Sequence, residues 1–266
     1  MDIISHTLTG VAVGTVFAAI SNDDWKRKCS IIFAGGIGGA LPDIDAISMW
    51  SRFDSTIGAF LGLEHSGREI YAGKFWYSHH AALHSILAPL IIILLAVIIS
   101  SVVRKRFNMV DIRNHFNIKK FSLLAFFFGF LLHLFEDMPT PASVWGGVNL
   151  FFPSDQYIGG FGNIWWWNNY DLVLIITSVI LLNMMINFVP KFTHKIRITS
   201  SMSVFLIGIS LFLYQINTRP VDFSYSGNTS NFDNFEAQSK QIQKDILGET
   251  LYDIMSKIDD RIPLNF

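Results

Sequence analysis

Eight side chains able to bind metal recur at four places in the sequence: His6; Asp43 and Asp45 within Leu41-Pro42-Asp43-Ile44-Asp45; His79, His80 and His84; and His133 with Asp137. Four residues apart on a helix, His133 and Asp137 share a face, as His80 and His84 would. His79 is five residues from His84 and matches that face only if the helix begins after it. Asp43 and Asp45, two apart after a proline, point the same way in an extended segment. Imidazole with carboxylate suits Zn²⁺, with Mn²⁺ or Fe as alternatives. A single tetrahedral ion takes four ligands, so eight candidates point to a cluster of two or three metals. Any one of these residues alone would read as a hydrogen-bonded polar group at a helix end.

The elements that carry them belong to a membrane protein. Of 266 residues, 51% are hydrophobic, 14% aromatic and only 15% charged, where a soluble domain carries about 25% charge. With a mean hydropathy of +0.39 and a net charge of -1, the chain is neither disordered nor a basic nucleic-acid binder. Its one cysteine, Cys29, excludes an internal disulfide framework and a cysteine-based zinc site. A helix needs about 20 apolar residues to cross the hydrocarbon core. The sequence predicts an all-α integral membrane protein with about six transmembrane helices: Ile3 to Ile20, about Cys29 to Leu41, His79 to Val103, Phe121 to Met138, Asp171 to Val189 and Ser200 to Ile216. Gly35, Gly36, Gly38 and Gly39 mark the second as a short span packed closely on protein. The opening Met-Asp-Ile-Ile-Ser-His lacks the basic region of a signal peptide, which predicts no cleaved leader.

Basic residues orient the bundle. Lys26, Arg27, Lys28, Arg104, Lys105, Arg106, Arg113, Lys119, Lys120, Lys191, Lys195 and Arg197 fall in the same set of alternate loops, against Arg52, Arg68 and Lys74 in the others. The rule that cytoplasmic loops are positive then predicts an extracytoplasmic N-terminus and tail. On that topology all eight candidate ligands sit at the outer helix ends. Chance would have scattered them over both faces. An unpaired Asp at the bilayer centre costs about 2.5 to 3.5 kcal/mol, so three would approach on the order of 9 kcal/mol, comparable to a typical folding stability. Such groups need partners.

Two outer segments remain. The loop Pro139 to Tyr170 carries Trp145, Tyr157, Trp165, Trp166, Trp167 and Tyr170, and reads as an interfacial aromatic belt or a lipid-substrate contact. The chain divides into a membrane-embedded unit, residues 1–216, and a polar tail, residues 217–266. In the tail Ile242, Ile246, Leu251, Ile254 and Ile258 repeat at roughly helical spacing, predicting one amphipathic helix packed on the outer loops or headgroups. Glu136 points about 100° away from Asp137 and reads as a helix–helix contact. Glu64 and His65 lie in an outer loop with a weak claim to a metal, and His115 and His194 in basic inner loops. There is no nucleophile elbow, P-loop or dinucleotide fingerprint.

Together these motifs resemble the YdjM-type inner-membrane metal-dependent hydrolases, a LexA-regulated family. The family pattern is an early Thr/Ser-His, Leu-Pro-Asp-x-Asp, His-Arg-Gly-x-Thr-His-Ser, and His-x-x-x-Asp-x-x-Thr, followed by Gly and a Trp/Phe-Pro. Here these are Ser5-His6, Leu41 to Asp45, His79 to Ser85, His133 to Thr140, Gly146 or Gly147, and Phe152-Pro153. The resemblance covers about residues 1 to 155. His80 stands where the family has Arg and Ala81 where it has Gly, which alters any phosphate contact of that Arg. Alignment with the family favours His79 as the ligand; helical spacing favours His80. The His-x-x-x-Asp element is also more distantly similar to zinc-dependent phospholipase C and the S1/P1 nucleases, all-helical phosphoesterases with three zinc ions.

The resulting expectation is a hydrolase of a phosphoester, with metals held by His6, Asp43, His80, His84, His133 and Asp137, and with His79 and Asp45 next. Asp45 and His79 are the candidates for catalytic roles, Asp45 as general base or as the partner that orients a histidine. The substrate would be a membrane lipid or lipid-linked phosphate, at the outer face of a bacterial cytoplasmic membrane, with no nucleic-acid partner. A metal transporter, or a structural metal clamp, is the rival reading.

Overall fold

The computed structural model describes residues 1–105, 108–189 and 192–261; Arg106 and Lys191 therefore lie outside the described residues. Nine α-helices are found among the described residues: α1 (Ile3–Ile20), α2 (Trp25–Ala40), α3 (Ala59–Leu61), α4 (Gly67–Ala72), α5 (Leu87–Val103), α6 (Met109–Asp137), α7 (Tyr170–Phe188), α8 (His194–Asn217) and α9 (Phe232–Asp259). Short 3₁₀ helices run over Pro42–Met49 and Ala82–His84, with one π turn at Asp54–Gly58. No strand forms among the described residues, only isolated bridges between loops. Helices α1, α6, α7 and α8 are long and apolar enough to cross a membrane. The bent pair formed by α2 and Pro42–Met49 would make a fifth span, and α5 is a shorter apolar helix.

Local chemistry sets the helix starts. Asp2 accepts from the Ile4 and Ser5 amides at α1, Asp24 from Arg27 at α2, Asn108 from Asp111 at α6, and Thr193 from Ile196 at α8. Each satisfies an orphan first-turn donor. The cap at Asn108 starts α6 well before the apolar stretch. Twelve of the seventeen residues read as the inner loop Arg104 to Lys120 are thus helical, and Arg113, Lys119 and Lys120 ride on α6.

Glycines bring α1, α2 and α6 together backbone to backbone. A Cβ on Gly10 would lie 2.2 Å from the Gly35 carbonyl oxygen, and one on Gly39 would lie 2.1 Å from that of His6. Such close approach is how helices gain dispersion energy in lipid, where burial of apolar surface drives little. It also draws together the ends of the three helices that carry His6, Leu41 and His133.

The helix in the third apolar stretch starts later than its sequence implies. His79 and His80 lie in a turn, His84 ends the 3₁₀ helix, and α5 begins at Leu87. Pro89 gives the reason: its ring would clash with the Ser85 carbonyl and it has no N–H to donate there. His80 adopts φ 63°, so the helical face assigned to His80 and His84 does not exist. The two rings still meet, with centroids 4.8 Å apart.

The tail forms α9, broken at Gly248 (φ 74°). That break dissolves the single apolar stripe read across it. Ile242 is buried with Ser239, Gln243 and Tyr252, whereas Ile246, Leu251, Ile254 and Ile258 are exposed. Gln243 anchors the helix: it accepts from the Asp171 amide at 3.0 Å and donates to the Asp171 carboxylate at 2.9 Å. Arg219 pairs with the same carboxylate at 3.0 Å.

Candidate metal centre

The four sequence-distant segments meet at one end of the bundle. His6 comes from the first turns of α1, Asp43 and Asp45 from the 3₁₀ turn after α2, His79, His80 and His84 from the turn before α5, and His133 and Asp137 from the last turns of α6. All five histidines and Asp137 are buried. Three groups of side chains could each hold an ion: His79, His80 and His84; Asp43, His84 and His133; and His6, His133 and Asp137. They share His84 and His133, so the groups form a connected chain.

One pattern unites the histidines. His133 donates from Nδ1 to the Gly39 carbonyl at 2.7 Å, and His80 from Nδ1 to that of Gly147 at 3.0 Å. His6 Nδ1 lies 2.8 Å from Glu136 Oε2, and His79 Nδ1 lies 2.6 Å from Asp45 Oδ1. His84 Nδ1 is 3.2 Å from Asp45 Oδ2, though poorly aligned for a hydrogen bond. An oxygen on Nδ1 fixes the ring and its tautomer and leaves Nε2 as the acceptor, the arrangement seen around metal-bound imidazoles.

The Nε2 atoms then face other acceptors. His133 Nε2 is 3.3 Å from His84 Nε2, 3.1 Å from Asp137 Oδ2 and 3.5 Å from Asp43 Oδ1. His6 Nε2 is 3.1 Å from Asp137 Oδ1. Lone pairs at these distances repel unless a cation or proton stands between them. His6 Nε2 and Asp137 Oδ2 are buried without a hydrogen-bond partner. The donor set, neutral imidazole and carboxylate, therefore fits a metal such as Zn²⁺. The Met1 amino group already supplies one positive charge, donating to Asp137 Oδ1 at 2.7 Å.

Outside the spans, burial and its neighbours His79 and His84 push His80 well below the usual imidazole range, keeping it neutral. Burial opposes charge on His84 too, but Asp45, Asp43 and Asp137 outweigh it and raise His84 to about 10. Burial and the same three carboxylates push the Tyr71 phenol up, so it stays protonated.

Asp45 belongs to none of the three groups; it touches Nδ1 of both His79 and His84. Glu136 is indeed a contact between α6 and α1, and its partners there are His6 and the Thr9 hydroxyl. Glu64 and His65 join no group, and His65 stacks on Phe75. Sequence reasoning missed the backbone carbonyls of Gly39 and Gly147, for which no side-chain signal exists. It also missed Tyr71, whose ring stacks on His79 at 4.6 Å. A cavity of about 500 Å³ reaches Asp43, His79, His80 and Asp137 from outside. The loop read as a belt partly folds inward: Trp145 and Trp165 are buried, and the Trp145 ring lies 4.6 Å from His80.

No curated protein and no solved structure matches the chain. The family model described as YdjM inner membrane protein matches residues 1–221. The chain belongs to the YdjM inner membrane protein family.

Proposed function

We propose that this protein is a membrane-embedded metal-dependent hydrolase of phosphoesters, acting on a lipid or lipid-linked phosphate at the extracytoplasmic face. The observation that carries the reading is the tethering of Nδ1 to oxygen in His6, His79, His80 and His133, with Nε2 atoms and carboxylates converging below an open cavity. His6, Asp43, His80, His84, His133 and Asp137 would hold two or three ions, with His79 at the edge of the set. Zinc suits the donors best. Bound there, such ions would lower the pKa of a water toward about 7 and offset charge on a phosphoryl group.

The chain's own groups do the rest. Asp45 holds His79 and His84 in orientation, and its carboxylate is placed to take a proton through His79. Glu136 holds His6. Tyr71, kept protonated, packs against His79. The topology we assign has six spans, counting α5 and the bent α2 pair, with the N-terminus and tail outside, consistent with the basic residues in the first turns of α2 and α8.

The rival, a transporter, draws on buried polar groups deeper in the bundle. There Asn183 donates to Thr15, Asn187 donates to the Thr15 carbonyl, and Lys28 approaches Asn187. These groups bond mainly to one another and include no carboxylate, so they read as helix packing.

Elemental analysis of the purified protein, with an Asp137→Ala control, tests the proposal. Two or three zinc per chain, absent from the control, together with metal-dependent release of phosphate or a phosphorylated headgroup from lipid, is the expected result. A metal-free protein, or turnover retained in the control, would sink it.

A further inference from the structure

The family match ends at residue 221, yet the cavity over the metal centre is completed by residues beyond it. Tyr225 and Phe232 line it together with Trp145, Trp166 and Trp167. The tail is strapped in place by backbone bonds to the central loop. Phe223 N donates to Gly162 O at 2.8 Å, Ser143 N to Tyr225 O at 3.0 Å, and Gly227 N to Ser143 O at 2.7 Å. Trp166 Nε1 reaches the Tyr225 hydroxyl at 3.5 Å, and the Phe232 ring lies 5.6 Å from that of Trp167. Trp145 and Trp166 stand nearly perpendicular, 87° apart at 5.5 Å, forming a corner.

The charge of this enclosure is one-sided. Its lining includes the carboxylates of Asp2, Asp43 and Asp137, and no lysine or arginine among the described residues. The one positive group, the Met1 amine, is already paired with Asp137. Ring faces are electronegative and attract cations. Over these rings, away from the metal centre, an anionic group would meet electron-rich faces with no lysine or arginine among the described lining residues to neutralise it.

We infer that Tyr225 and Phe232, with the three tryptophans, form a subsite for an organic cation: the alkylammonium end of a zwitterionic headgroup whose phosphate reaches the histidines and aspartates. This extends the reading of the site as one for lipid phosphates, and makes the tail a determinant of specificity.

Choline is the probe, set against its uncharged isostere, the same alcohol with carbon in place of nitrogen. Both are titrated against the full chain in nanodiscs, with tryptophan emission as readout, before and after EDTA treatment. Choline should bind about tenfold more tightly than the isostere. Tyr225→Leu and Phe232→Leu keep apolar bulk and should each weaken choline about two- to fivefold. Trp167→Leu removes an exposed ring, leaves the backbone bonds that strap the tail, and should act alike. Because the rings need no metal, choline binding should survive EDTA. Binding that survives in a protein without hydrolase activity would count against the proposed function alone. Equal binding of the isostere, or unchanged affinity in all three variants, would overturn the subsite and leave the rings as an interfacial belt.

Discussion

His133 rests its Nδ1 on the carbonyl oxygen of Gly39, 2.7 Å away and 94 residues distant in sequence. Gly39 itself can stand there only because it has no side chain, since a Cβ would lie 2.1 Å from the His6 carbonyl oxygen. One residue therefore sets both the helix spacing and the orientation of a candidate ligand. Gly39→Ala should force α1 and α2 apart, at a cost of about 1 to 3 kcal/mol. Lower thermal stability in detergent together with weakened zinc binding is the expected outcome; an unchanged melting temperature would contradict the packing argument.

Asp45 and Glu136 act through histidines. Asp45→Asn and Glu136→Gln preserve shape but remove the charge that orients His79, His84 or His6. Each should lower metal affinity about 10- to 100-fold, the usual effect of losing an outer-shell partner. Competition with a fluorescent chelator measures this. His133→Ala, which removes a converging Nε2, should abolish binding.

Protons and metal compete for His84. Its raised pKa, about 10 without metal, means a proton must leave before Nε2 can bind an ion. Metal affinity should therefore rise with pH, with proton release on binding near pH 7. For EDTA-treated protein the sign is opposite. The folded-state pKa lies above the ordinary 6.5, so the stability His84 contributes is fully present below about pH 6.5 and is lost as pH rises through about 10. Melting temperatures of metal-free protein across that range check this.

The tail depends on Asp171, which holds both Arg219 and Gln243. Asp171→Ala would leave the buried Arg219 charge unpaired, a loss of about 3 to 5 kcal/mol in comparable buried pairs. Limited proteolysis should then cut the tail near Gly227, and choline binding should fall with it. Gln243→Leu should be milder.

Residue types and periodicity by themselves determined that this chain is helical and membrane-embedded, and which histidines and aspartates converge. Apolar runs and ligand chemistry are local properties, and six apolar stretches each contain a helix. Placing the ligands on one face followed from counting spans, which needs no tertiary contact. Only the tertiary structure decided what each group touches. The turn at His79 to His84 replaced a helical face because Pro89 blocks the helix, and Gly248 divided the tail's stripe. The Nδ1 partners of His80 and His133 are backbone carbonyls, which every residue has, so no side-chain pattern can announce them. Tyr225 and Phe232 reach the cavity only because the tail folds back on the loop that follows α6. Such pairings depend on how distant segments pack, and that packing is a property of the whole chain.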